Sequence, residues 1–187
     1  GFDYTITGHA YKCTDCPDQP NIPDFDNYTV TTLAGQTGES GSTNGNIHNA
    51  KFNKPIGIAV GPSGSIYIGD SKNHLIRKID SSGNVTTFAG SGSPGSANGN
   101  GTSASFDTPY GITVDSSENV YVADNVNNLV RKIDSLGNVT TLAGSGSSGF
   151  NNGPGNTANF NEPIGITIDS QGNVLVADFQ NHLIILY

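Results

Sequence analysis

The sequence predicts an all-β fold, because one pattern of short apolar runs occurs three times along the chain. The copies run over residues 52–79, 106–133 and 160–187. A repeat of this length indicates an array of supersecondary units, each of which must bury its apolar face against a neighbour. The residues that recur 54 positions apart are Phe52, Phe106 and Phe160, then Pro55, Pro109 and Pro163, then Asp70, Asp124 and Asp178.

Within one copy the apolar residues alternate with a period of two, which is typical of a β-strand and not of a helix. Ile56, Ile58 and Val60 show this alternation most clearly. Turn residues, such as those at 62–64 and 116–119, bound further apolar runs at 66–68, 75–79 and 85–90. Four antiparallel strands per copy make one blade of a β-propeller.

The three copies resemble the NHL repeat. The resemblance rests on the pattern P-x-G-I-x-V-D, G-N-V-Y-V-A-D, N-H-x-I-R-K-I-D and G-x-V-T-T-L-A-G, which the copies follow with small variations over residues 29–187. It implies a propeller blade, usually one of six. It implies no single activity, because the family includes binding modules, scaffolds and a few lyases, and a fold does not determine a function.

The two ends of the repeat array look complementary. Residues 29–35 match the fourth strand of a blade without the first three strands before them, whereas the third copy stops after three strands. Propellers commonly complete their last blade with a strand from the opposite terminus. The sequence therefore predicts β-propeller blades over residues 26–187, namely three four-stranded antiparallel blades with one split between the termini. Residues 1–25 form a separate N-terminal extended arm.

The arm carries Cys13 and Cys16 in a C-x-x-C motif. A zinc site would need a second such pair or two well-spaced histidines, so a local disulfide in an oxidising compartment is the preferred interpretation. Phe2, Tyr4 and Ile6 alternate with polar residues, which predicts a strand with one apolar face. A loose leader is the alternative. No cofactor and no metal are expected.

Composition excludes two classes of partner. Charged residues make up 13% of the chain, the formal net charge is −8, and no segment is strongly basic, so we expect no nucleic-acid partner. No apolar stretch approaches about 18 residues, so no membrane span is predicted. Because the chain begins at Gly1, we expect a processed mature form or an excised fragment. The composition and the expected disulfide favour a location outside the cell or at its surface. Among its sequons, Asn27 and Asn100 are the candidates for glycosylation.

The number of blades predicts self-association. Closed propellers have typically about four to eight blades, so three blades would leave an apolar face of each end blade in water. A second chain could close a two-fold ring, copies could stack head to tail into a filament, or the chain could be a piece of a longer protein.

The last strand also favours cover by a neighbour. Ile185 and Leu186, followed by Tyr187, replace the Arg–Lys pairs that the first two copies carry at 77–78 and 131–132. An edge strand without charges is poorly protected against pairing with another strand. We expect either the arm at residues 2–6 or another subunit to cover these residues by strand addition. Packing within the chain is the alternative.

Other candidate sites are weaker. Two G-x-G-x-x-G loops at 90–95 and 144–149 lack the following helix that a dinucleotide site needs, so we predict flexible connections between blades. His74 and His182 correspond to Asn128 in the middle copy, which indicates a surface role and not a metal ligand.

The recurring aspartates have a structural interpretation. A single carboxylate per blade cannot supply the six or so converging oxygens that calcium needs. A short carboxylate before a turn can instead accept backbone N–H groups and fix the bend. This role is predicted for Asp70, Asp124 and Asp178.

Together these observations favour a non-enzymatic, extracellular structural or interaction module. We expect it to assemble with copies of itself, as a ring-completing dimer or as a filament subunit, and also name a glycan or another surface protein as partners. Two alternatives stay open. One is a ligand- or glycan-binding propeller that uses the long loops at 91–105 and 145–159, and the other is a fragment of an NHL-type lyase.

Overall fold

A computed structural model describes residues 29–187, and the compact unit within this range is Leu33–Tyr187. Three 3-10 turns lie in it, at Ser71–Asn73, Gly101–Ser103 and Phe179–Asn181. No helix in the described range has the length and apolar character that crossing a membrane requires. The strands are β1 (Gly45–Asn46), β2 (Pro55–Val60), β3 (Ile66–Asp70), β4 (Leu75–Ile79), β5 (Asn84–Ala89), β6 (Gly99–Asn100), β7 (Pro109–Val114), β8 (Val120–Asp124), β9 (Leu129–Ile133), β10 (Asn138–Ala143), β11 (Pro163–Ile168), β12 (Val174–Asp178) and β13 (Leu183–Leu186).

The strands form three antiparallel sheets that follow one another along the chain. The first has the order β1-β5-β4-β3-β2, the second β6-β10-β9-β8-β7, and the third β11-β12-β13. Within each sheet, strands that follow one another in the sequence are paired, so that the sheet is a meander. The exceptions are β1 and β6, each of which pairs with the last strand of its own sheet. The predicted all-β fold of propeller-type blades is confirmed.

The first two sheets have a fifth strand that the sequence did not predict. β1 pairs with β5 through Gly45 and Val85, and β6 pairs with β10 through Asn100 and Asn138. Each of these strands is a Gly-Asn pair only two residues long, and so carries no apolar alternation. The segment that precedes each of these blades therefore folds back along the outer strand of the blade.

The fourth strand expected at residues 29–35 is not present. No strand occurs between residues 29 and 44, Val30 is 99% exposed, and the third sheet has three strands. The segments equivalent to residues 29–35 in the other blades are β5 and β10. Each of these pairs with the strand before it in a hairpin, β5 with β4 and β10 with β9. The end of this segment belongs instead to the first blade, where the Gly35 N–H donates to the Ile47 carbonyl over 3.0 Å.

Apolar cores lie between neighbouring sheets. Phe106 and Phe160 come from the segments that precede the second and third blades, so these loops complete the cores. A third cluster, Ala50, Ile68, Ile79 and Val85, lies on the first sheet beneath its own preceding loop. The buried members of the first core are Tyr67, Ile76, Ala89, Ala104, Phe106, Ile112, Val120, Val122, Ile133 and Val139, and those of the second are Tyr121, Val130, Ala143, Phe160, Val174 and Val176.

Main-chain contact sets the spacing of the blades. A Cβ atom at Gly57 of β2 would collide with the Tyr110 carbonyl oxygen of β7, and one at Gly111 would collide with the Ile164 carbonyl oxygen of β11. A Cβ at the equivalent Gly165 would meet only the Cβ of Ala177, at 3.3 Å. Glycine is therefore required at the first two positions because strands of adjacent blades touch there through their backbones.

Substitution of these glycines by alanine should destabilise the protein at the first two positions more than at the third. We expect Gly57→Ala and Gly111→Ala to lower the free energy of unfolding by about 1–3 kcal/mol or more, because a blade would have to move away from its neighbour. Gly165→Ala is the matched control and should change it by less than about 1 kcal/mol. Urea unfolding monitored by circular dichroism measures all three. Equal losses at the three positions would contradict this account of blade spacing.

Candidate interaction surfaces and buried ion pairs

A buried ion pair holds the first blade together with the loop that precedes it. Asp70 and Arg77 are both fully buried, and Arg77 Nη1 donates to Asp70 Oδ2 over 2.8 Å. The guanidinium also donates to the Lys51 carbonyl over 3.1 Å, to the Thr43 carbonyl over 3.1 Å and to Asn44 Oδ1 over 2.7 Å. One side chain therefore ties β4 to three points of the loop and to β3.

The guanidinium also lies over an aromatic ring. The Arg77 guanidinium carbon is 5.3 Å from the centre of the Phe52 ring. Asp70 has two further donors, the Asn53 N–H at 2.7 Å and Asn73 Nδ2 at 2.8 Å. The buried charges are thus compensated by an opposite charge and by hydrogen bonds, which a buried ion pair requires.

The second blade repeats this arrangement. Arg131 Nη1 donates to Asp124 Oδ2 over 2.9 Å, and the guanidinium lies 5.2 Å from the centre of the Phe106 ring. Its other acceptors are the Ser105 carbonyl at 3.0 Å, the Ala97 carbonyl at 3.1 Å and Asn98 Oδ1 at 2.9 Å.

Burial also affects the Asp124 carboxyl. It raises the pKa of Asp124 to about 6, against the opposing effect of hydrogen bonds from Asn127, from the Asp107 N–H and from Arg131. The hydrogen bond of 2.9 Å from Arg131 Nη1 is one of the contacts that favour the ionised carboxylate.

Sequence reasoning missed these pairs. It placed Arg77 and Arg131 among the charges that protect an edge strand, yet both are fully buried, and their strands β4 and β9 lie inside their sheets. The available signal was spacing, because an aspartate precedes each arginine by seven residues in both copies. In the third copy, Asp178 is followed at that spacing by Ile185.

Asp178 is fully buried like its equivalents but has no arginine beside it among the described residues. Its Oδ1 accepts the Asn161 N–H at 2.7 Å, and its Oδ2 accepts Asn181 Nδ2 at 2.6 Å. The three aspartates thus share the hydrogen bonds to the preceding loop and to the following turn.

The two end blades expose apolar residues whose equivalents are buried. Ile58 of β2 is 65% exposed, whereas Ile112, one repeat later, is 7% exposed because it packs in the first core. Ile184 of β13 is 73% exposed, whereas its equivalents Ile76 and Val130 are buried. The outer faces of the first and third blades are therefore two apolar surfaces without a partner among the described residues, here called the β2 face (Ile56, Ile58 and Val60) and the β13 face (Ile184 and Leu186).

The predicted assembly residues fall into three groups. Phe2, Tyr4 and Ile6 lie outside the described residues, as do Cys13, Cys16 and Asn27. Ile185 is partly buried and packs against the second core, as the within-chain alternative proposed. Leu186 and Tyr187 are exposed, at 64% and 51%.

A hydrogen bond from one blade to the next explains the exchange of histidine for asparagine. His74 Nδ1 accepts the Thr108 N–H over 3.2 Å, and Asn128 Oδ1 accepts the Glu162 N–H over 2.9 Å. All three residues of this set, including His182, have left-handed backbones with φ between 53° and 57°. Histidine and asparagine both tolerate that conformation and both offer an acceptor, which makes them interchangeable here.

Glu118 links the second blade to the first. Its equivalents Gly64 and Gly172 have positive φ angles, and Glu118 adopts the same left-handed backbone with φ 64°. Its carboxylate accepts the Ser63 N–H at 2.6 Å and the Tyr67 hydroxyl at 2.8 Å. Burial acts to raise the pKa of Glu118, but these hydrogen bonds and Lys78 outweigh it, so that the pKa lies below its ordinary value.

The remaining candidates have plain structural surroundings. The loop at 91–105 was expected to be a flexible connection, but it contains β6, the buried Ala104 and acceptors for Arg131. Asn100 is exposed, and its Nδ2 donates to the Leu136 carbonyl and to Asn138 Oδ1. Within residues 29–187, no group of three His, Cys, Asp or Glu side chains is placed to hold a metal ion.

Removal of one buried charge should be far more harmful than removal of its partly buried neighbour. Arg131→Met should lower the free energy of unfolding by about 3–5 kcal/mol, because Asp124 would remain buried without its cation. The control is Lys132→Met, which loses only the contact of Lys132 with the Tyr121 ring at 5.5 Å, worth about 1 kcal/mol or less. Chemical unfolding measures both, and comparable losses would contradict the assigned role of Arg131.

The contribution of Glu118 should depend on pH. Its pKa is lower in the folded state, so its stabilisation is present above the unfolded value of about 4.3 and is lost as the pH falls through the folded pKa. Glu118→Gln should therefore be less stable than the parent at pH 7, and the difference should be smaller at an acidic pH. Thermal unfolding at both pH values measures this, with Glu162→Gln as the control. A gap as large in acid as at pH 7 would contradict the link.

Comparisons with known proteins agree with this geometry. The family model described as NHL repeat matches residues 52–79, 106–133 and 160–185. The chain is 34% identical over 152 residues to NHL repeat-containing protein 2 of Bos taurus, and the alignment covers 73% of this chain and 21% of that protein. It is 31% identical over 152 residues to Teneurin-1 of Homo sapiens, covering 72% of this chain and 5% of that protein.

A solved structure shows the same fold. An auxiliary nutrient binding protein from Bacteroides ovatus matches with a TM-score of 0.64 and 26% identity, over 75% of this chain and 39% of that one. The chain spans about a fifth or less of the length of the curated relatives named above. The three repeat matches and the three equivalent sheets together show that this chain belongs to the NHL-repeat β-propeller family.

Proposed function

We propose that this chain is a non-enzymatic interaction module, that its partner is a second copy of the chain, and that the β2 face of one copy binds the β13 face of the other. The observation that carries the proposal is the contrast between Ile58 and its equivalent Ile112, which are 65% and 7% exposed. Where a preceding blade is present, the equivalent side chain packs against it: Ile112 is buried in the first core, and Ile166 is partly buried against the second core.

The two faces are related to a contact that already exists twice within the chain. The β2 face is equivalent to the faces of β7 and β11, which pack against the preceding blade. The β13 face is equivalent to the surfaces of the first and second blades that contain Ile76 and Val130, both buried. A second copy placed head to tail would therefore repeat an established mode of packing, and the interface would be heterologous.

Polar groups favour the same arrangement. His182 has the left-handed backbone of His74 and Asn128, which accept an N–H from Thr108 and Glu162 of the next blade. The residue equivalent to Thr108 and Glu162 in the first blade is Lys54, whose φ of 53° matches theirs. In the proposed contact, His182 of one copy accepts the Lys54 N–H of the other.

The proposed contact allows two kinds of assembly. Two copies would close a six-blade ring, the number usual in the family, and continued head-to-tail addition would give a filament. We place the module outside the cell or at its surface, in line with its low charged fraction of 13%, its sequons and its Cys13–Cys16 pair.

A second candidate function is the binding of a nutrient or glycan. It is favoured by the similarity to the auxiliary nutrient binding protein from Bacteroides ovatus, at 26% identity. The loops at 91–105 and 145–159 would supply the polar groups. A glycan array probed with a variant that cannot assemble separates this function from self-association.

Charge placed on either face should abolish assembly, and a mixture should restore one contact. The parent chain should sediment as more than one copy over a concentration series. Ile58→Asp and Ile184→Asp should each sediment as monomers, because each buries a charge in the proposed contact. An equal mixture of the two variants should form a species of two copies, since one variant keeps an intact β13 face and the other an intact β2 face.

Three results would contradict this proposal. They are a parent chain that stays monomeric at every concentration, variants that assemble as the parent does, and a mixture that stays monomeric while the parent assembles. Leu136→Asp is the matched control, because Leu136 is 79% exposed and lies on neither face. It should assemble like the parent.

A further inference from the structure

The third blade has the same residue types that surround the arginine guanidinium in the first two blades, although it has no arginine at that position. In the first two blades, the receptor for the guanidinium consists of a buried carboxylate, two backbone carbonyls, one asparagine carboxamide and one phenylalanine ring. At the three positions that contribute a side chain, the third blade has residues of the same type. They are Asp178, Asn152 and Phe160, with the carbonyls of Asn151 and Asn159.

Asp178 occupies the same place in its sheet as Asp70 and Asp124. Its partner across β12 and β13 is Leu183, as Leu129 is for Asp124. The preceding loop is anchored in the same way, because Asn181 Nδ2 donates to the Gly149 carbonyl over 2.6 Å, as Asn127 Nδ2 does to the Gly95 carbonyl over 2.7 Å. The receptor is therefore held in its shape by contacts that do not involve an arginine.

The acceptors retain capacity for further hydrogen bonds. The Asn151 carbonyl accepts the Asn159 N–H over 3.0 Å, as the Ala97 carbonyl accepts the Ser105 N–H over 3.0 Å. The Ala97 carbonyl accepts Arg131 in addition, so the same geometry leaves room for a second donor at Asn151. The side chain of Asn152 makes no hydrogen bond within residues 29–187.

A cavity of about 350 Å³ adjoins these acceptors. Asn151, Asn152, Asn159 and Phe160 line it on the loop side, and residues of β13 line the other side. Ile185, which replaces the arginine, packs against the second core and supplies no donor. The cavity thus combines an aromatic side chain with amide and carbonyl groups of the loop, whereas Asp178 is buried and is not among the residues that line it.

We propose that the third blade binds a guanidinium group supplied from outside the chain. A planar cation with several fixed N–H donors matches two carbonyls, a carboxamide and a carboxylate at once, and it stacks on an aromatic ring. An ammonium group offers one point of charge without the plane. A neutral urea group lacks the charge that would compensate Asp178. Ile184 and Leu186 of the β13 face line part of this cavity, so binding must also be measured in a variant that does not assemble.

The guanidinium could come from a free solute or from an arginine in an extended peptide. Within the described residues, β13 pairs on one side only, with β12. An extended peptide could add hydrogen bonds to the other side of β13 and present its arginine to the cavity. Both sources share the same chemistry, and the experiment below distinguishes them.

The test uses isotope-labelled full-length chain and the amide signals of Asn152, Asn161 and Asn181. N-acetyl-arginine amide should shift these signals to saturation, and N-acetyl-citrulline amide and N-acetyl-lysine amide should not do so at the same concentrations. A five-residue peptide with one central arginine between threonines and valines should bind at least about tenfold more tightly if strand pairing contributes. Equal affinities would assign the site to free solutes. The titration is repeated with Ile58→Asp, so that binding and assembly are measured separately.

Two variants make the test specific. Ile185→Arg should fill the receptor from within, abolish binding and raise the unfolding temperature. Asn152→Leu removes one exposed acceptor without touching the core and should weaken binding about tenfold, while Asn156→Leu, elsewhere in the loop, should bind like the parent. The proposal is overturned if arginine gives no saturable shift, if citrulline shifts the same signals equally, or if Asn152→Leu binds as tightly as the parent.

Discussion

The structure depends on one constraint, namely that a four-stranded blade has two faces and can bury both only between neighbours. The first and second sheets meet this requirement through a core that contains Tyr67, Ile76 and Ile112, and the second and third through one that contains Val130 and Phe160. Each core is completed by the loop that precedes the blade. In the first two blades the buried arginine donates to three acceptors of that loop, so the ion pair and the core stabilise one another.

The fold was predictable from the sequence because its signals are local. The alternation of Ile56, Ile58 and Val60 and the turn residues at 62–64 indicate strands without reference to any neighbour. The burial of Arg77 was not predictable by the same reasoning, because its carboxylate partner and its loop acceptors are brought together only by the sheet. The fifth strands β1 and β6 escaped prediction for a related reason, since Gly-Asn pairs carry no apolar pattern. The candidate site in the third blade became visible only through comparison with the two blades that have an arginine.

The aspartates show how a correct residue can be identified for an incomplete reason. Asp70, Asp124 and Asp178 do accept an N–H from the segment before their blade and an amide from the following turn. Their position inside the sheet, however, also buries each carboxyl group, and in the first two blades an arginine is hydrogen-bonded to it. The third blade keeps the two hydrogen bonds and has Ile185 in place of the arginine.

The contact of bare backbone at Gly57 and Gly111 has a consequence for how such arrays change over evolutionary time. At both junctions the adjacent blades meet through main-chain atoms, so this contact requires only a glycine at the equivalent position. A gene segment that encodes one whole repeat can therefore be duplicated or exchanged in frame, and the new blade will meet its neighbours at the correct distance before any side chain has adapted. Repeat number can then vary among relatives, while the sequence of each copy is free to acquire a binding role of its own.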